Sequence, residues 1–272
     1  MPSAPLTGPE LITAQCLEAP GLIHSFTTRR GGVSKGSFTS LNFSPKWPED
    51  LAAVAENHRL LARSLGFDPR RLYRVFQVHG TDGVVVNDES PAKVYERQAD
   101  FLVTDRPGAI LGVITADCVP VLLWDPGRPA VAAVHAGWRG LVAGVLEAAV
   151  STLKSRYGSR PSSIRAALGP SIGPCCFEVG AEVVEAFARA FPDAPGLALQ
   201  PGPGRGTSTR PHVDLWAAAR HALQRAGLRQ EHLADPPGCT HCDPERFYSY
   251  RREGARVGQH LSVIGLASQP GD

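Results

Sequence analysis

Three side chains able to bind a soft metal ion stand at comparable places along the chain. His79 follows a β-rich stretch at 72–78, Cys118 follows another at 109–115, and His135 closes a third at 130–134. Sheets commonly build sites beyond the ends of their strands, where rigid backbone aims side chains into a shared crevice. Two imidazoles and one thiolate suit zinc, and three protein ligands leave the fourth tetrahedral position open, as catalytic sites do. The spacings of 39 and 17 residues match no compact metal motif such as His-Glu-x-x-His. Two other readings use the same atoms. Both histidines can be hydrogen-bonded structural residues with Cys118 a small buried hydrophobe, or Cys118 and His135 can form a nucleophilic thiolate and its base without a third ligand.

The remaining cysteines are Cys16, Cys175, Cys176, Cys239 and Cys242. Cys239-Thr240-His241-Cys242 spaces two thiols as in half of a zinc knuckle, but only one such pair exists where a structural zinc usually needs two. A structural role is expected for it, and packing for the adjacent Cys175 and Cys176.

The elements that must position these groups alternate between short strands and helices. A strand is expected at 22–27, followed by a glycine-rich turn through Gly31-Gly32, and a helix at 50–65, where apolar residues recur at helical period behind Pro48. Short β-rich segments follow at 72–78, 84–87, 101–104, 109–115, 119–124 and 130–135, predicting one substantial sheet. Helices are expected at 140–157, 181–190 and 214–226, and strands at 164–168, 247–250 and 261–265. The Pro- and Gly-dense stretch 192–211 reads as a mobile loop or an active-site lid. The whole predicts an α/β (α+β) domain at 22–272 behind a leader at 1–21.

Composition narrows the partners. Of 272 residues, 43% are hydrophobic and 20% charged, so a folded core is expected. A net charge of +2 without basic tracts argues against nucleic acid as the main partner. Met1-Pro2-Ser3-Ala4-Pro5 has neither a basic n-region nor an apolar h-region, and no apolar run is long enough to span a bilayer. We therefore expect a cytoplasmic chain with no membrane partner and with its six cysteines reduced.

A set of motifs runs in order through nearly the whole chain: His24-Ser25-Phe26-Thr27-Thr28-Arg29, Gly31-Gly32-Val33-Ser34, Leu41-Asn42, Gln77-Val78-His79-Gly80, Ala99-Asp100, Thr115-Ala116-Asp117-Cys118-Val119-Pro120, His135-Ala136-Gly137-Trp138-Arg139-Gly140, Gly169-Pro170-Ser171-Ile172-Gly173, Cys239-Thr240 and Phe247-Tyr248-Ser249-Tyr250-Arg251-Arg252. The set closely resembles the YfiH-like laccase-domain family. The resemblance implies a layered α/β sandwich, first described as that of a cysteine hydrolase, and a zinc ion at His79, Cys118 and His135. The family's names include polyphenol oxidase, laccase and purine nucleoside phosphorylase with adenosine deaminase and methylthioadenosine phosphorylase activities.

The residues choose among these names. Multicopper laccases use pairs of His-x-His ligands, whereas this chain has nine histidines and no such pair. A lone blue-copper site usually takes an axial Met, and Met1 is the only methionine. Zinc is the expected ion, with copper as the alternative. Deamination needs a carboxylate to carry protons, for which Asp117 is the candidate, its other reading being a carboxylate that caps a turn or orients a zinc-bound His. Phosphorolysis needs planar cationic donors for phosphate. Arg29, Arg139 and Arg251 lie in the motifs, Arg29 before a glycine turn whose amides could cradle an anion and Arg139 just ahead of a helix start. Asn42 is the candidate for a ribose hydroxyl. The expected partners are thus a purine nucleoside and phosphate.

Overall fold

The computed structural model describes residues 8–45, 51–199 and 210–268. Most of the described strands form two mixed sheets rather than the single one expected, with a separate two-stranded ladder beside them. The first has spatial order Leu233–Ala234, Arg165–Leu168, Val119–Asp125, Ala130–Ala136, Phe101–Thr104 and Gly83–Val85. The second runs Leu11–Ile12, Leu22–Thr27, His260–Leu266, Ile110–Thr115 and Leu72–Tyr73.

Side-chain alternation explains why two sheets form. Val121, Leu123, Ala132, Val134 and Val103 on one face of the first sheet pack with Val145, Leu146, Ala149 and Leu153, and with Ala218, Ala219 and Ala222. Their neighbours Leu122, Val131, Ala133 and Leu102 point the other way, onto Phe26, Leu111, Val113 and Ile264 of the second sheet. The outer face of that second sheet, through Ile110, Leu261 and Val263, is covered by Leu61 with Leu41 and Phe43. Helix Leu51–Leu65 supplies Leu61. The result is a layered α/β sandwich with central strands apolar on both faces. Such strands carry no polar face to show how many sheets share them, which is why one sheet was the simpler expectation.

Several boundaries depart from the sequence reading for local reasons. The helix expected over 140–157 splits into Trp138–Ala143 and Val145–Tyr157 at Gly144, whose φ of 92° is left-handed. Only Leu72–Tyr73 of the 72–78 stretch is ladder strand. Beyond it the Gln77 side-chain amide bonds both the C=O (2.8 Å) and the N–H (2.9 Å) of Ile114, imitating a strand partner. The strand expected at 247–250 is instead buried irregular chain at 247–249, in which the Tyr248 hydroxyl donates to Phe38 O at 2.6 Å and Ser249 caps the helix Tyr250–Glu253, which opens on the exposed Tyr250. Leu11–Ile12 pairs with Leu22–Thr27 and Leu17 is fully buried, so the described part of the 1–21 segment is built into the fold. In the 192–211 stretch, Ala198–Leu199 pairs with His212–Val213, and 200–209 lie outside the described residues. No described helix is long and apolar enough to cross a membrane.

Candidate metal centre

His135 sits near the end of Ala130–Ala136, where alternation places it on the same face as Val131 and Ala133, toward the second sheet. Cys118 stands just before Val119–Asp125, after a turn in which Asp117 has φ 88°. His79 lies in the loop after Gln77 with φ 62°, a left-handed conformation uncommon for residues other than glycine. The ligand atoms of His79, Cys118 and His135 all lie within 4.8 Å of one another, and the two imidazoles meet edge to face at 4.7 Å. His135 is buried, Cys118 half-buried and His79 exposed, so the group opens on one side.

Asp100 holds this arrangement in place and is the residue whose role the sequence reading missed. Its fully buried carboxylate accepts from His79 N at 2.9 Å, Gly80 N at 2.5 Å and Val78 N at 3.3 Å, and bonds His135 Nδ1 at 2.7 Å. One side chain thus stabilises the unusual turn at His79 and fixes the tautomer of His135, leaving Nε2 of His135 to face a ligand. Burial would raise the Asp100 pKa, but hydrogen bonds from His135, Gly80 and His79 outweigh it and hold the carboxyl below its ordinary range. In the metal-free protein, burial alone would depress His135. The neighbouring Cys118 and Asp100, through charge and hydrogen bonding, overcome that effect and hold the imidazole at about 9. Metal binding would displace this proton, because a ligating imidazole is neutral.

Gly137 completes the centre. A Cβ there would lie 2.4 Å from His79 Nδ1 and 3.2 Å from Cys118 Sγ, so the glycine makes room for the ligands. Its φ of −70° is open to any residue, which makes the constraint one of space rather than conformation. Ala99-Asp100 and Gly137 both stand in the motif set; only their tertiary neighbours reveal what they do.

The centre lies in a cavity of about 650 Å³ lined also by Phe76, Tyr95, Asp117, Trp138, Arg139, Phe177, Tyr250 and Arg251. Phe76 and Tyr250 are 53% and 58% exposed, offering aromatic faces at the wall. Arg139 is exposed within the first turn of its helix, not ahead of it, with its guanidinium 4.4 Å from the Trp138 ring centre. Arg251 lies against Phe177 and donates to Glu178 O at 2.8 Å. The Asp117 carboxylate accepts from the Thr240 hydroxyl and from Arg251 N, each at 2.6 Å.

Two expected site residues are not among those lining the cavity. Arg29 donates to Thr39 O and Pro244 O, pairs with Glu253 at 3.4 Å and covers the Tyr248 ring. The glycine turn after it does not form an anion cradle, since Gly32 N donates to Ser40 Oγ and Val33 N to Asn57 Oδ1. Asn42 is fully buried, bridging Ser44 and Gln259 N, and so joins two chain segments.

A family described as multi-copper polyphenol oxidoreductase laccase matches residues 23–267. A Pseudomonas aeruginosa protein named purine nucleoside phosphorylase is 41% identical, covering 88% of this chain and 91% of its own. The Escherichia coli purine nucleoside phosphorylase YfiH is 37% identical, with 94% and 99% coverage. Among solved structures, YlmD of Geobacillus stearothermophilus superposes with a TM-score of 0.83 at 34% identity, covering 94% of each chain. A Bacillus licheniformis protein, YfiH, gives 0.84 at 30% identity, covering 92% of this chain and 98% of that one. The copper cluster in the family's description does not fit these residues: among the described residues only His79 and His135 join a group of ligand atoms that includes histidine.

Proposed function

The chain belongs to this laccase-domain family, and from that premise we propose that it is a zinc-dependent purine nucleoside phosphorylase acting on adenosine, inosine and methylthioadenosine, with adenosine deamination as a second activity. The observation that carries the reading is a three-ligand centre of His79, Cys118 and His135 opening into a cavity of about 650 Å³ that has both aromatic and guanidinium walls. That volume falls in the range of small-molecule sites. Relatives named purine nucleoside phosphorylase support the same class. Bound at the centre, zinc would supply Lewis-acid chemistry at its open fourth position.

The chain's own groups serve the rest. Phe76 and Tyr250 offer faces for a planar base. Phosphorolysis joins a phosphate oxygen to the anomeric carbon as the bond to the base nitrogen breaks, and Arg139 and Arg251 place cationic donors at the cavity for that phosphate. For deamination, Asp117 is the only carboxylate among the described lining residues, so it takes the proton-shuttle role with the Thr240 hydroxyl on its Oδ1.

The test is a chromatographic assay of metal-quantified protein with adenosine, inosine and methylthioadenosine, with and without phosphate. Phosphate-dependent release of free base, absent in Cys118→Ala, is expected. Arg139→Ala should raise the phosphate KM roughly ten- to a hundredfold, the worth of a charged hydrogen bond. Unchanged nucleosides in a zinc-loaded protein would refute the substrate class. One observation favours a second reading, a Cys-His hydrolase: His135 contacts both the Cys118 side chain and the Asp100 carboxylate, a sulfur, base and orienting acid in series. His79→Ala separates the two, because that mechanism survives the loss of His79 and the zinc mechanism does not.

A further inference from the structure

Cys175, Cys176, Cys239 and Cys242 stand apart from the catalytic cavity's ligands, and the fold draws their four sulfurs within 4.8 Å of one another. We propose that these four thiols bind a second, structural zinc ion. The missing half of the knuckle is supplied by the adjacent pair Cys175-Cys176, brought from 64 residues away in the chain to the Cys239–Cys242 turn.

The separations fit a metal rather than disulfides. Sγ of Cys242 lies 3.5 Å from that of Cys175 and 3.3 Å from that of Cys176. A disulfide needs about 2.05 Å. Four sulfurs placed tetrahedrally at a zinc–sulfur distance of about 2.3 Å lie about 3.8 Å apart, close to what is seen. Packing does not explain the whole cluster either, since Cys239 is buried in the core and Cys176 packs against it, but Cys175 and Cys242 are exposed.

The backbone around the cluster is already organised as a ligand shell. Cys239 bridges Ser171, Thr240 N donates to Ser171 O at 3.0 Å, and Gly173 N donates to Cys239 Sγ at 3.2 Å, a contact that favours a thiolate. Arg252 donates to the carbonyls of Thr240 and His241 at 2.6 and 2.8 Å, setting a cation beside thiols that zinc binding would make anionic. Four protein ligands close the coordination sphere, so this ion has no open position for chemistry, in contrast to the three-ligand centre. On binding, the four thiols lose their protons to solvent and no electron is transferred.

The position assigns the site a purpose. The two turns it joins lead directly to Ile172 and Phe177 in the cavity wall and to Thr240, whose hydroxyl holds Asp117. The second zinc would pin that wall against the turn before Cys118.

The test counts metal in the full chain, purified under reducing conditions with zinc supplied during expression. Elemental analysis should find two zinc ions per wild-type chain. The double variant Cys175→Ser/Cys242→Ser should keep one, and His79→Ala should also keep one, the other. Because these losses are independent, failure of the catalytic centre and failure of this site are distinguishable. Should the double variant not fold, cobalt-substituted wild type serves instead: two cobalt ions per chain, with thiolate-to-cobalt absorption that persists in Cys118→Ala, support the site. A zinc content that is the same in the wild type and in the double variant, whether one ion per chain or two, overturns it. So does a wild-type chain in which these four cysteines are found as disulfides, or as free titratable thiols in zinc-replete protein.

Discussion

Replacing Asp100 by Asn tests the central geometric claim, that one carboxylate organises two of the three ligands. The substitution keeps size and one acceptor oxygen but removes the charge and turns the other oxygen into a donor. If the remaining oxygen stays on His79 N and His135 Nδ1, the new amide faces Gly80 N and Val78 N, donor against donor. Loss of a partner to a metal-ligating His typically lowers metal affinity 10- to 100-fold, or about 1.4–2.7 kcal/mol. Each charged hydrogen bond lost at this buried position costs about 1.5–3 kcal/mol, so a lower melting temperature is expected too. The assay is chelator competition for zinc at neutral pH, with circular dichroism to establish that the variant is folded. A folded Asp100→Asn protein with the wild-type zinc Kd would refute the idea that this carboxylate positions the ligands.

Gly137→Ala should fold, because its backbone suits alanine, yet lose zinc, because the added Cβ would fall 2.4 Å from His79 Nδ1; metal content and a melting curve on the same sample check both halves. Acid should destabilise the metal-stripped protein through two buried histidines. Burial, aided by Arg29 and Arg252, pushes His260 down to about 3, and burial with the Arg74 charge pushes His58 down to about 4. The unfolded chain takes up these protons near pH 6.5 while the native one does not, so their contribution is constant above about 6.5 and stability falls as pH drops toward 4 and then 3. The loss by pH 4 amounts to several kcal/mol, a large share of a typical domain's total. Denaturant titrations at stepped pH should show this decline, and His58→Gln should make it shallower; a profile flat from pH 6.5 to 4 would contradict the assignment.

Local patterns carried much of this. The strands at 101–104, 119–124 and 130–135 and the helix at 181–190 are legible because side-chain period and apolar runs are properties of neighbouring residues. Residue chemistry singled out His79, Cys118 and His135, and the structure brings all three together. Arg29 and Asn42 stood in the same motifs, yet their partners are Glu253 and Gln259, distant in sequence, and those contacts turn them inward. The tertiary fold alone decided that the strands divide into two sheets, that Cys175-Cys176 meets Cys239 and Cys242, and that Asp100 serves His135. Phe101 pairs with Val134, so the antiparallel register sets Asp100 opposite His135. A slip of one residue would turn His135 from the inter-sheet face to the helical one, and no local pattern in either strand records which partner or which register the long-range hydrogen bonds select.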